Sequence, residues 1–469
     1  MEKNDEFEIQ ITGMTSEGAG VGRAPDGTAV FVPMTAVGDT VEVHVIKTAK
    51  SYAAAILKRI IKPSDDRIMP DCPVFKECGG CVYRHVTYES ECRYKHLRVA
   101  DAFKRIGGFD ISVSPIKAAK NPDRYRNKTQ LPVGINPSNG EISVGFYASR
   151  SHRIINCPDC RLQPEIFGKA AEIIKAHIKK TGISVYDELT GKGAVRHIYI
   201  RYAKHSNTLM VCPVLNGNGL PDEELLAKKL EENLNCKISF VVNSNREKTN
   251  VVPGRKFRVS YGSDRITDRL CGLDFELSPA SFYQVNTEQA EVLYTLAAEY
   301  ADLSGSETVL DLYCGTGTIG LSLAKNAKQI IGAEIVAEAV ENARQNADRN
   351  NIKNAEFICA DAIQAAKKLT EDKIHPDVII LDPPRKGCDK ELLEAITELN
   401  PKKIVYISCN PETCARDAKI LCENDRYILQ KITPVDMFPR TSHVETVVLL
   451  TQDCSTQVTS ADDKGAGKK

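Results

Sequence analysis

The feature that most constrains this chain is the rhythm of its last third. "TVLDLYCGTGTIGLSLA", "QIIGAEI", "EFICADA", "DVIILDPP" and "KIVYISCNP" are short apolar runs, each stopped by a polar or glycine-rich turn, with helical stretches such as "VAEAVENARQNADRNN" between them. Strand and helix alternating in this way predict a doubly wound parallel sheet. Chemistry in such sheets gathers outside the carboxyl ends of the strands. The last run places a thiol there: Ile404 to Ile407 reads as a buried strand, Asn410 and Pro411 stop it, and Cys409 stands at the edge. A cysteine taken at random is more often core packing than nucleophile, so its neighbours must decide.

Sixteen cysteines raise the question of compartment. No early stretch has the layout of a signal peptide, and no apolar run approaches the roughly eighteen residues a membrane span needs. The chain is therefore expected in the cytoplasm, where clustered thiols point to metal or catalysis rather than disulfides. A length of 469 residues leaves room for several domains, and a net charge of zero neither favours nor excludes nucleic acid.

Residues 1–62 hold "FEIQITGM", "AVFVP", "DTVEVHVIK" and "YAAAILKRI", broken by "SEGAGVG" and "APDGT". Short strands with glycine-rich turns predict a small β-barrel, and this one resembles the OB-like TRAM barrel of RNA-modifying enzymes. A central α+β domain is expected over residues 68–270. It begins with "CPVFKECGGC", whose Cys72, Cys78 and Cys81 can converge on one metal centre; Cys92, Cys157 and Cys160 are candidates for a fourth ligand. Zinc and iron–sulfur are not separated by this spacing. A helix is predicted over 88–107, with Leu97, Ala100, Phe103 and Ile106 on one side, packing on the catalytic domain. "DRYRNKTQLPVG" interleaves Arg124, Arg126 and Lys128 with Tyr125 and Asn127, a mixture suited to phosphates and bases. A catalytic domain is expected over 271–451 and a disordered tail over 452–469.

At the strand ends, Asp311, Glu334 and Asp361 are spaced to meet one adenosine, with Glu334 on the ribose and Asp361 on the adenine amino group. "GTGTIG" also fits a dinucleotide dehydrogenase, but that reading leaves Cys409 without a task. With "LDPPRKG" after the fourth strand, the domain resembles class I S-adenosylmethionine-dependent methyltransferases.

"SFYQVN", "DLYCGTG", "LDPPRKG", "SCNP" and "DMFPRTSHVETVVLL", together with "YRNK", "CGGC" and the barrel, resemble one family over nearly the whole chain: the RNA uracil-C5 methyltransferases. The resemblance implies a Rossmann-like catalytic domain, a TRAM barrel and an iron–sulfur domain. Cys409 would add to C6 of uracil and make C5 nucleophilic. Glu445 would then remove the C5 proton, with His443 as the rival base. Gln284, Tyr313, Glu334 and Asp382 would contact S-adenosylmethionine, with Asp361 carried by strand position. Arg385 and Lys386 would face RNA phosphate. Cys72, Cys78, Cys81 and Cys160 would hold a [4Fe-4S] cluster, from which Cys157 is an extra thiol. Ribosomal 23S RNA is the expected partner and the T-loop uridine of tRNA the alternative, with the protein a monomer. A non-catalytic RNA-binding assembly factor is the reading from another class.

Overall fold

Five short strands open the chain in the computed structural model, which describes residues 1–149, 151–248 and 251–453. β1 (Glu6–Met14), β2 (Gly20–Arg23), β3 (Ala29–Val32), β4 (Thr40–Thr48) and β5 (Tyr52–Lys62) close into a barrel in the order β1-β2-β3-β5-β4. Period-two patterning drives the closure: Val41, Val43 and Val45 of β4 point inward and meet Ile9, Ile11, Val30 and Val32.

α1 (Tyr88–Ala102) starts at Thr87, whose hydroxyl accepts from the Ser90 amide, and widens into a looser turn over Phe103–Gly107 before left-handed Gly108 ends it. The buried face differs from the expectation. Val99, Ala102 and Phe103 enter the catalytic core, whereas Leu97 is 59% exposed and Ile106 is also exposed. The helix has neighbours on two sides: the Tyr94 hydroxyl accepts from the Val37 amide beside the barrel (3.3 Å), and Lys95 is buried against the catalytic domain.

The middle of the chain supplies β6 (Lys128–Ile135), β7 (Ile142–Tyr147), β8 (Ile154–Asn156), α2 (Glu165–Thr181), β9 (Val195–Ala203), β10 (Thr208–Leu215), α3 (Glu223–Leu234), β11 (Lys237–Ser244) and β12 (Lys256–Tyr261). The seven strands form one sheet, β12-β11-β10-β9-β6-β7-β8. Ile198, Ile200, Leu209 and Val211 pack under α2 and α3. The alternate residues Tyr199, Met210, Cys212 and Val214 share a core with the catalytic unit. A sheet buried on both faces explains why β10 reads as a nearly continuous apolar run.

A hairpin of β13 (Ile266–Leu270) and β14 (Leu273–Leu277) leads into α4 (Thr287–Ala301). There follow β15 (Thr308–Leu312), α5 (Thr318–Leu323), β16 (Gln329–Glu334), α6 (Ala337–Arg349), β17 (Ala355–Cys359), α7 (Ala362–Glu371), β18 (Val378–Leu381), α8 (Lys390–Leu399), β19 (Lys403–Ser408), α9 (Pro411–Leu421), β20 (Tyr427–Val435) and β21 (Glu445–Gln452). Their sheet runs β17-β16-β15-β18-β19-β21-β20, parallel as far as β19, with β21 antiparallel to both neighbours. The chain steps outward from β15 to β17 and then returns to β18, so a crevice opens between the ends of β15 and β18. The tail expected from residue 452 falls, beyond Asp453, outside the described residues.

Candidate active site

Two strand ends meet at the centre of the site. Ser408 pairs with Thr446 across β19 and β21, and Val435 pairs with Glu445 across β20 and β21. Cys409, the residue after Ser408, and Glu445, the residue before Thr446, therefore emerge side by side. Asn410 caps α9 by accepting from the Glu412 amide (3.1 Å), and Pro411 opens its first turn. The Asn410 side-chain amide and the Thr413 hydroxyl donate to the Arg385 carbonyl (3.0 and 3.3 Å), which ties the loop after β18 to the helix that follows Cys409.

The electrostatics are those of acidic groups held out of water. Burial raises the half-buried Cys409 thiol, the Glu445 carboxylate raises it further, and the Arg385 guanidinium opposes both. Glu445 is 5% exposed, and burial, then Asp382, lifts it to about 8. Asp382, half-buried at the end of β18, is lifted to about 7 by burial. Asp311, wholly buried at the end of β15, is also lifted to about 7, by burial and by its neighbours Asp382 and Glu334. Its Oδ2 accepts from the Gly320 amide (2.8 Å), and its buried Oδ1 has no hydrogen-bond partner. Acidic groups held this close suit a cationic ligand.

The turn after β15 leaves room for one. Tyr313 (φ 65°), Gly315 (φ 54°) and Gly317 (φ 81°) are left-handed; a non-glycine residue such as Tyr313 is strained there by about 1–3 kcal/mol. A side chain at Gly317 would press on Phe357 at 3.1 Å, whereas at Gly315 it would enter open space. Glu334 holds the turn, accepting from the Gly315 and Val336 amides (3.2 and 2.9 Å). Asp361 caps α7, accepting from the Gln364 amide (2.9 Å). Gln284 is half-buried, its backbone carbonyl accepting from the Asn127 side chain (2.8 Å).

The description that matches residues 222–453 is tRNA (uracil-5-)-methyltransferase, and residues 2–58 match the TRAM domain. The chain is 45% identical to an uncharacterized RNA methyltransferase of Clostridium tetani, across 96% of this chain and 97% of that one. It is 42% identical to another from Listeria monocytogenes, across 96% and 98%. The chain belongs to the uracil-5 RNA methyltransferase family. Among solved structures, the Pyrococcus abyssi tRNA (uracil-54, C5)-methyltransferase in complex with S-adenosyl-L-homocysteine resembles it with a TM-score of 0.76 and 29% identity, over 95% of this chain and all of that one. The protein is thus an S-adenosylmethionine-dependent RNA methyltransferase with an N-terminal TRAM domain.

Other residues of the methyltransferase depart from the sequence expectation. Cys72, Cys78, Cys81 and Cys160 line one cavity of about 410 Å³ with Cys157. Among the described residues, however, no three His, Cys, Asp or Glu side chains stand close enough to hold a metal ion. The four expected ligand thiols thus share one cavity without closing into a ligand set, and some of the sulfurs have other partners. Cys78 Sγ accepts from the Gly80 amide (3.4 Å), and the Cys157 thiol, itself pushed up, hydrogen-bonds to Cys160 and draws it down to about 7.

Part of the "DRYRNK" stretch is held by protein partners. Arg124 pairs with Asp159 (2.5 Å), the Tyr125 hydroxyl donates to the Pro439 carbonyl (3.0 Å), and Asn127 holds Gln284. Burial also lowers Lys128 to about 8. His443 is lowered to about 4 by burial and by Arg385, so it is neutral at pH 7, with the Arg385 guanidinium 3.3 Å from its Nε2. Sequence reasoning missed Glu91, Lys95 and Asp436, a buried ion cluster beside the site. The Glu91 to Lys95 spacing of four was its only signal.

Proposed function

We propose that this enzyme methylates C5 of specific uridines in large-subunit (23S) ribosomal RNA through a covalent bond between Cys409 Sγ and C6 of the base. The thiolate adds to C6 and pushes an electron pair through the ring, so that C5 becomes nucleophilic and takes the methyl group of S-adenosylmethionine, whose sulfur–methyl bond breaks to leave S-adenosylhomocysteine. Glu445 removes the remaining C5 hydrogen as a proton, the ring electrons return, and the Cys409–C6 bond breaks. A carboxyl lifted to about 8 is well matched to that proton, since a base with a pKa near the working pH serves best. Neutral His443 would carry a weaker driving force because it sits near 4.

S-adenosylmethionine supplies an electrophilic methyl on a sulfonium. Asp311, Glu334 and Asp382 would offer negative charge to that cation, and Gln284, Tyr313 and Asp361 would complete its binding. Arg385 favours the Cys409 thiolate, and with Lys386 offers charge to RNA phosphate. The uridine must leave its stack to reach this pocket, and the TRAM barrel is the surface that would hold flanking nucleotides.

Cys72, Cys78, Cys81 and Cys160 would hold a [4Fe-4S] cluster that cross-links residues 68–270. On the cavity wall Arg84 keeps a buried Nε–H without a hydrogen-bond partner, and Arg161 Nε lies 3.6 Å from Asp71, so positive charge stands beside the thiols, which suits an anionic thiolate cluster. Residues 1–62, 68–270 and 271–451 then act as barrel, RNA-holding and catalytic units of a cytoplasmic monomer.

The observation that carries this reading is the strand pairing that brings Cys409 and Glu445 together within electrostatic reach of Asp382. The second reading, tRNA as substrate, is favoured by the likeness to the Pyrococcus tRNA enzyme. The test is to incubate anaerobically purified protein and S-adenosylmethionine with unmodified ribosomal and transfer RNAs, and to map new methyl groups by mass spectrometry. Methyl in large-subunit RNA alone supports the proposal, and methyl in tRNA alone moves the substrate. An active Cys409→Ala enzyme would refute the covalent mechanism.

A further inference from the structure

The connection between β20 and β21 runs from Asp436 to Val444 and ends at Glu445, yet much of what holds it comes from the far end of the chain. Lys95 of α1 is 1% exposed, and its ammonium donates to Glu91 Oε1 (2.7 Å), Asp436 Oδ1 (2.7 Å) and the Phe438 carbonyl (3.2 Å). Glu91 Oε1 also accepts from the Arg440 amide (2.6 Å), and Asp436 Oδ2 from the Tyr88 hydroxyl (2.7 Å). The Arg440 guanidinium lies 3.6 Å from Glu91 Oε2, so two buried carboxylates meet two cations. Gln289 and Asn286 add bonds to the Asp436 and Met437 carbonyls (2.9 and 3.1 Å).

A buried ion cluster is weak evidence for stability, because well-packed apolar residues often replace one at no loss. What ions do supply is fixed geometry, since each bond has a direction. Asp436 directly follows Val435, the cross-strand partner of Glu445, so the cluster pins the loop one residue from the pair that sets the base. The nucleophile has a support that does not pass through Lys95: Cys409 is placed by β19, the Asn410 cap and the Arg385 carbonyl, and α1 reaches its helix through Arg98, which pairs with Glu412 (2.9 Å).

We infer that Lys95, acting through Asp436, is a positioning residue for the proton-removal step, so that helix α1 completes an active site whose reacting groups lie more than three hundred residues later. The inference rests on Glu445 being the base. It predicts that loosening the cluster leaves addition of Cys409 and methyl transfer in place but slows breakdown of the methylated covalent adduct.

The test uses full-length Lys95→Met, which keeps side-chain length without charge, and Asp436→Asn, which keeps the shape and a carbonyl acceptor. Each is mixed with S-adenosylmethionine and substrate RNA beside wild type and Glu445→Gln. Denaturing gels then give the fraction of RNA bound covalently to protein, and mass spectrometry gives released methylated RNA. Adduct formation at the wild-type rate, with release slowed by up to about a hundredfold for Lys95→Met and less for Asp436→Asn, is the expected result. Soluble variants with the wild-type adduct fraction, or with addition and release slowed equally, would overturn the inference while leaving Glu445 as the base. Absence of adduct in Glu445→Gln removes the base reading and this inference with it. Should Lys95→Met fail to fold, Asp436→Asn decides.

Discussion

Replacing Glu445 with glutamine perturbs chemistry and stability in opposite directions. Burial and Asp382 move this carboxyl from an ordinary 4.5 to about 8, so the folded protein keeps a proton that the unfolded chain gives up between those values. A group with a raised folded pKa contributes its stability fully below the unfolded pKa and loses it as pH rises through the folded one. The interval from 4.5 to about 8, at roughly 1.4 kcal/mol per pH unit, amounts to roughly 5 kcal/mol. An amide has no charge to bury, so Glu445→Gln should match wild type near pH 4 and exceed it by several kcal/mol at pH 9. The chain has no tryptophan, so unfolding is best followed by circular dichroism, with hydrogen exchange of β21 isolating the catalytic unit from the other layers. In the same variant, release of product should fall by about 10²–10⁴, leaving protein bound to RNA on denaturing gels. Wild-type and variant stability curves that run parallel from pH 5 to 9 would refute the buried-carboxyl argument. Rapid release without adduct would refute the catalytic one.

Arg385→Met removes the cation that opposes the rise of both Cys409 and Glu445, so the acidic limb of the pH–rate profile should move to higher pH; an unmoved limb would mean that the guanidinium serves RNA alone. Among the thiols, Cys78→Ser or Cys160→Ser should lose bound iron and its visible absorbance after anaerobic purification, while Cys157→Ser should keep both. Iron retained in Cys160→Ser and lost in Cys157→Ser would exchange their roles.

The catalytic sheet was legible because its signals are local. β15 to β19 are short apolar runs ended by turns, and a parallel strand buried on both faces has no other composition available to it. The barrel was legible for a similar reason, the strict alternation of Val41, Val43 and Val45. The face of α1 was misread because Leu97 and Ile106 look like core by periodicity, while Lys95 looks solvated. A charge is buried only where distant groups neutralise it, and Asp436 lies 341 residues away. The partners of Arg124 and Tyr125, Asp159 and Pro439, are likewise ones that spacing cannot reveal.

By itself the sequence determined the barrel, the parallel sheet, and the placement of Cys409 at a strand end, because period, turn residues and capping act over a few neighbours. Only the tertiary structure decided that Glu445 stands beside Cys409, that Asp311, Asp382 and Glu445 hold raised pKa values, and that a helix before residue 103 holds the loop leading to Glu445. Those depend on β21 entering antiparallel between β19 and β20 and on desolvation by residues from every part of the chain. Burial and through-space charge are properties of the assembled core, and no local pattern encodes them.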